Sequence, residues 1–236
     1  MRAASKTIWL LLLVAAFGAA AYSGLLSKTV WHYRMTVAVE TPEGLKSGSA
    51  VRAVIYGGPT TGGGGPGLDL KVNGEAVMVD LGKRGILFGL LSGRTQGYDY
   101  GSDILLRAFN KKGDVTLRPS QVPKTGKVTL EPDQYPVFVR FRDMNDPKTI
   151  AAIHETAAQI RKFYPDKKIE TFEEAFGKGV HLKEVTIEMT DEPLTRNLDK
   201  VLPSFGPETG FVEWFKKLPY GDVRRIGLYD FKRGER

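Results

Sequence analysis

Thr7 to Leu26, TIWLLLLVAAFGAAAYSGLL, is a run of twenty residues without a charge. As a helix rising about 1.5 Å per residue it would be roughly 30 Å long, the thickness of a bilayer core. It has no polar face, which argues against a helix buried in a soluble domain. Trp9 and Tyr22 lie near its two ends, where interfacial aromatic side chains belong. The competing reading is a cleaved signal peptide, with Arg2 and Lys6 before the apolar run and Ala19-Ala20-Ala21 as the cleavage site. Apolar character continuing through Leu25 and Leu26 favours a retained anchor. The expected layout is therefore a cytoplasmic tail (1–6), a single span (7–26) and an exported domain in two parts. An antiparallel β part covers 27–142, and an α+β C-terminal part packed on it covers 143–236. The expected location is a bacterial inner membrane, with the domain on the periplasmic side.

Charge and composition narrow the partners. There are 34 basic and 27 acidic residues, a net +7 spread along the chain. No basic run or interleaved aromatic stripe suggests nucleic acid. The absence of cysteine rules out a disulfide scaffold, a thiolate metal site and a cysteine nucleophile. His32, His154 and His181 have no metal-ligand spacing. No cofactor or small-molecule ligand is identifiable. The membrane and an envelope protein or cell-wall component are the expected partners.

Past the anchor the pattern is that of short strands. Tyr33–Thr41 alternates apolar and polar residues, Pro42-Glu43-Gly44 is a turn, and Ser49–Tyr56 is a second strand. The glycine-rich stretch 57–67 lacks the lysine and the following helix of a phosphate loop, so it reads as a linker. Asn73-Gly74 signals a hairpin between strands 68–72 and 76–81. After the turn at 82–85, Ile86–Leu91 is continuously apolar, as for a strand in the middle of a core. Asp80 is expected to face solvent. Ile104–Asn110 reads as a strand or a short helix. Val115–Arg118, Lys127–Leu130 and Pro136–Arg142 are further strands. The expectation is a mainly β fold, an antiparallel sandwich or barrel.

Beyond Asp143 helix signals appear. Asp146 and Pro147 read as an N-cap and first position of a helix running to about Tyr164. Thr171 and Glu174 form a capping box, with Gly177 stopping the turn that follows. Val180–Thr190 is a strand whose alternation slips at Lys183-Glu184, indicating a β-bulge. A helix is expected after Thr190, a short aromatic helix at Phe211–Leu218, and a strand-like segment at Ile226–Phe231.

The blocks YRMTVAVETPEGLKSGSAV (33–51), GEAVMVDLGKRGILFGLL (74–91) and VHLKEVTIEMTDEPLT (180–195) resemble a family of bacterial proteins with one N-terminal span and no assigned activity. The resemblance implies an inner-membrane protein and carries no functional residue with it.

Two functions are open. One is a non-catalytic binding module, with Phe211, Trp214, Phe215 and Leu218 on one helix face as the candidate interaction surface. The other is a hydrolase using carboxylates from Asp143, Asp146, Asp191 and Glu192, since two carboxylates about 5–10 Å apart can cleave a glycosidic bond.

Overall fold

A computed structural model describes residues 29–59, 68–93, 100–109, 122–155 and 169–234. The expected span Thr7–Leu26, the centre of the glycine-rich stretch and the strand at Val115–Arg118 lie outside these residues. Among the described residues no helix is long and apolar enough to cross a membrane.

The fold is mainly β. The strands are β1 (Thr29–Thr41), β2 (Gly44–Pro59), β3 (Leu68–Glu75), β4 (Val77–Asp80), β5 (Ile86–Gly93), β6 (Lys127–Thr129), β7 (Pro136–Phe141), β8 (Ile150–His154), β9 (Glu170–Thr171), β10 (His181–Met189) and β11 (Lys232–Arg233). One sheet has the order β11-β3-β2-β1-β10-β6 and is antiparallel throughout. The other has the order β4-β5-β7-β8-β9, with only β8 and β9 parallel. The residues beyond Asp143 supply β8 to β11, so both sheets draw on both halves of the chain.

Alternation in β1 buries Tyr33, Met35, Val37 and Val39 completely. They share a core with Val77, Val79, Leu87, Phe138 and Ile153 of the second sheet. Each such side chain contributes roughly 1.5–3 kcal/mol by leaving water. The β1–β2 turn closes at Gly44, whose φ of 114° suits only glycine. The bulge in β10 falls at Lys183, because Ala38 pairs with Glu184 while Val39 pairs with Leu182. The second sheet is covered on both faces. Phe88, Leu90, Val139, Phe141 and Ile150 pack away from the first sheet, against Leu198, Ile226 and Phe231. That double burial is why Ile86–Leu91 carries no polar position.

Four α-helices lie among the described residues: α1 (Tyr100–Phe109), α2 (Phe172–Phe176), α3 (Phe211–Lys217) and α4 (Leu228–Phe231). Helix α1 resolves the strand-or-helix ambiguity from Ile104 as far as Phe109, burying Tyr100, Ile104 and Leu105. The capping box opens α2 as expected: Glu174 N–H donates to Thr171 Oγ1 and Thr171 N–H to Glu174 Oε2.

Four local expectations are corrected. Asn73-Gly74 is no hairpin. It lies inside β3, which continues to pair β11 at Gly74 and Glu75 before the chain crosses to β4 in the other sheet. The glycine is there for close approach, since a Cβ on Gly74 would sit 3.0 Å from Arg52 Cγ. The helix after Asp146 is a 3₁₀ turn, Pro147–Thr149, followed by strand β8. Every residue of β8 is buried, and a short run apolar on all sides has no periodicity to separate strand from helix. Its expected continuation past 155 lies outside the described residues. After Thr190 the chain stays extended, because tertiary hydrogen bonds outweigh helix propensity: Thr190 N–H donates to His32 O (3.1 Å) and Thr195 N–H to Val51 O (3.2 Å). Only Leu198–Lys200 turns as 3₁₀. At Ile226–Phe231 the strand-like segment is largely the turn α4, closed by Gly227 N–H donating to Asp230 Oδ2 at 2.9 Å.

One ion pair ties the β1–β2 turn to the second sheet. Arg84 donates to both Glu43 carboxylate oxygens, at 3.0 and 2.8 Å, and through Nη1 to Phe176 O at 2.8 Å. The guanidinium hydrogen bonds hold the Glu43 pKa at about 2, below its ordinary 4.5. A carboxylate depressed in the folded state stabilises the fold above its unfolded pKa and loses that effect as pH falls through its folded value. Wild type should therefore lose stability relative to Glu43→Gln as pH drops from 4.5 towards 2. Parallel acid melts of the two proteins would refute this attribution.

Candidate functional site

A cleft of about 700 Å³ opens where β3, β11 and α4 meet the extended segment before Leu198. Glu75, Arg196, Asp199, Tyr229, Lys232 and Arg233 line it. Its frame is the crossover from β3 to β4, where Ala76 N–H donates to Phe231 O at 2.7 Å. Glu75 is buried and its Oε2 accepts Asn197 N–H (2.8 Å) and Leu198 N–H (3.1 Å), fixing the first amides of the 3₁₀ turn. Lys232 pairs with Asp199 across the mouth. The Arg233 guanidinium donates from Nε to Tyr229 O at 3.1 Å and lies 4.2 Å over the Tyr229 ring. Beneath it, burial raises the pKa of the Asp230 carboxyl, against hydrogen bonds from Gly227 N–H and Ser92 and the charge of Arg233.

Behind the cleft sits Arg52, wholly buried. Its Nε donates to Glu75 O at 2.9 Å and its Nη2 to Gly89 O (3.1 Å) and Leu90 O (3.4 Å). Nη1 lies 3.3 Å from Met35 Sδ. The guanidinium thus joins β2 and β3 of one sheet to β5 of the other through carbonyl dipoles. Burial raises the pKa of Tyr33 beside it, and Arg52 pulls it the other way; the phenol donates to Gly101 O at 3.0 Å.

The acids singled out in the sequence do not form one constellation. Asp143 and Asp146 share the β7–β8 turn. Asp143 Oδ1 accepts from Asn145 N–H at 2.8 Å, and Asp146 Oδ1 caps Lys148 N–H at 3.0 Å. Asp191 and Glu192 follow β10; Asp191 is exposed, and Glu192 pairs with Arg34 of β1 while its carbonyl meets His32 Nδ1 at 2.7 Å. Among the described residues no hydrogen bond or ion pair joins the two pairs. Asp80 is exposed and accepts Gly82 N–H at 2.8 Å. Among the described residues, no three His, Asp or Glu side chains gather as a metal site would need.

The aromatic helix face docks on its own domain. Phe211 and Leu218 are buried, and Trp214 and Phe215 are half-buried. Phe211 stands 4.8 Å from Phe205 and 5.5 Å from Trp214, ring to ring, and Trp214 packs on the second core. Arg225 covers Phe215 at 4.9 Å. Trp214→Ala should cost about 3 kcal/mol and lower the melting temperature by several degrees; an unchanged melt would return this face to the list of interaction surfaces.

Arg52, Glu75, Asp230 and Arg233 escaped sequence reasoning. Arg52 left one signal: it stands in phase with Ala50 and Val54, on the face of β2 that turns inward. A cation on the apolar phase of a strand marks a buried polar centre. Glu75 hides on the polar phase at the end of β3, and Asp230 and Arg233 lie in segments too short to show a period.

Compared with models of protein families, with curated proteins and with solved structures, the chain matches none of them.

Proposed function

We propose that the chain is a bacterial inner-membrane protein with one span, Thr7–Leu26, and a cytoplasmic N-terminus, whose two sheets form an exported β-sandwich that binds an envelope component without chemically changing it. The observation that carries the binding reading is the cleft at β11. It has the volume of a small-molecule site, and its acids are committed to holding the chain: Glu75 to two backbone amides, Asp199 to Lys232. It offers charge and an aromatic wall but no nucleophile–base pair. The alternative, a carboxylate-dependent hydrolase on a cell-envelope substrate, has less support, because Asp143 and Asp146 stand in one turn and Asp191 and Glu192 in another segment, each with its own role.

Two experiments test the proposal. Fusions at the C-terminus should give active alkaline phosphatase and inactive β-galactosidase; the reverse would overturn the orientation. The full chain, screened by thermal shift against cell-wall glycan fragments, peptides and lipid headgroups, should be stabilised by a ligand recovered intact. Cleavage of a glycan fragment, lost in Asp143→Asn or Glu192→Gln, would replace binding by hydrolysis.

A further inference from the structure

Resting on that reading, we infer that the cleft recognises an anionic group, a carboxylate or a phosphate, carried on a flat apolar body. Arg196, Lys232 and Arg233 line the cleft against Glu75 and Asp199, so its walls carry an excess of positive charge. One cation is already oriented. Arg233 is only 8% exposed, its Nε is held by the Tyr229 carbonyl, and its Cζ lies 4.2 Å over the Tyr229 ring. A guanidinium fixed in this way loses little freedom on meeting an oxyanion, to which it gives a charge-assisted hydrogen bond from the edge it turns to the cleft. Its recess strengthens the attraction, since screening by water is reduced there.

The apolar body follows from the lip and the size. Tyr229 is 60% and Leu228 40% exposed on the same wall, side by side in α4. Together they give the cationic recess an apolar lip on which a flat ligand body can lie. A volume of about 700 Å³ far exceeds what a bare anion fills and falls in the range of small-ligand sites. The ligand therefore places its anion at Arg233 and lays its body along Tyr229 and Leu228.

The test uses the full chain in nanodiscs of zwitterionic lipid, with ¹⁵N-labelled arginine, and phenyl phosphate, benzoate and neutral benzamide as probes. Phenyl phosphate and benzoate should move the Arg233 Nε–Hε signal saturably at millimolar concentrations, and benzamide should not. Arg196→Gln and Lys232→Gln, both at the mouth of the cleft, should each weaken phenyl phosphate about three- to tenfold, and added salt should weaken it further. Displacement of phenyl phosphate by phosphatidylglycerol in the nanodisc identifies a lipid headgroup as the source; retention identifies a soluble anion. Benzamide binding as tightly as benzoate, or no saturable shift from either anion, would overturn the inference and leave the binding proposal to its own screen. Hydrolysis of phenyl phosphate would instead break the non-catalytic reading on which the inference rests.

Discussion

Arg52→Met is expected to destabilise the domain by about 3–5 kcal/mol, enough to remove much of a typical domain's stability. Methionine fills similar space, but the partners of Arg52 are the main-chain carbonyls of Glu75, Gly89 and Leu90, which no compensating substitution can delete. Each loses this donor inside the core, and a buried acceptor without one costs about 1–3 kcal/mol. The usual finding that a buried ion pair can be exchanged for apolar groups does not apply, because the three oxygens that Arg52 bonds are all main-chain. Arg52→Lys keeps the charge yet cannot reach three carbonyls in two sheets from one ammonium, so it should recover part of the loss and not all. Urea unfolding of the three proteins measures this. A midpoint for Arg52→Met equal to wild type would show that the guanidinium is not what joins β2, β3 and β5.

The second large effect is expected at Gly48. A Cβ there would lie 1.8 Å from the Met78 carbonyl oxygen and 2.7 Å from its carbon, so β2 and β4 touch backbone to backbone. Neither atom belongs to a flexible side chain, and relief requires the two sheets to part. Gly48→Ala should cost on the order of 3 kcal/mol or more. Gly227→Ala is the control. Its φ of −112° is open to any residue and a Cβ there meets nothing within 4 Å, so its melt should stay close to wild type or rise slightly. Equal melts for the two variants would show that β2 and β4 do not meet backbone to backbone at Gly48.

These two positions also show where sequence reasoning stops. Gly48 reads as an ordinary glycine near a hairpin, and nothing near it announces that Met78, thirty residues on, will cross above it. Arg52 leaves only its phase. The same limit explains the local corrections. At Asn73-Gly74 the turn signal was real as glycine chemistry, but the glycine serves a close approach to Arg52 rather than a reversal. At Ile150–His154 a run buried on every side carries no period, so the choice between helix and strand fell to β7 and β9 on its flanks. After Thr190 the cap-and-proline pattern was overruled by backbone groups of His32 and Val51 that offered better partners. The helix face at Phe211–Leu218 was legible as one apolar face, but that it docks on its own domain was decided by Phe205 and the second core.

What the sequence determined by itself was local or periodic. The β1–β2 hairpin, the bulge at Lys183, the capping box at Thr171 and the doubly buried β5 each follow from residues within a few positions of one another, because turn geometry, caps and two-residue alternation are short-range physics. What only the tertiary structure decided was which distant groups meet. Glu75 reaches Asn197 and Leu198, Arg52 reaches Gly89 and Leu90, and Arg233 stands beside them at a cleft no single segment contains. Such contacts join residues far apart in the chain, and their energies come from burial and hydrogen-bond geometry that exist only once both sheets have formed.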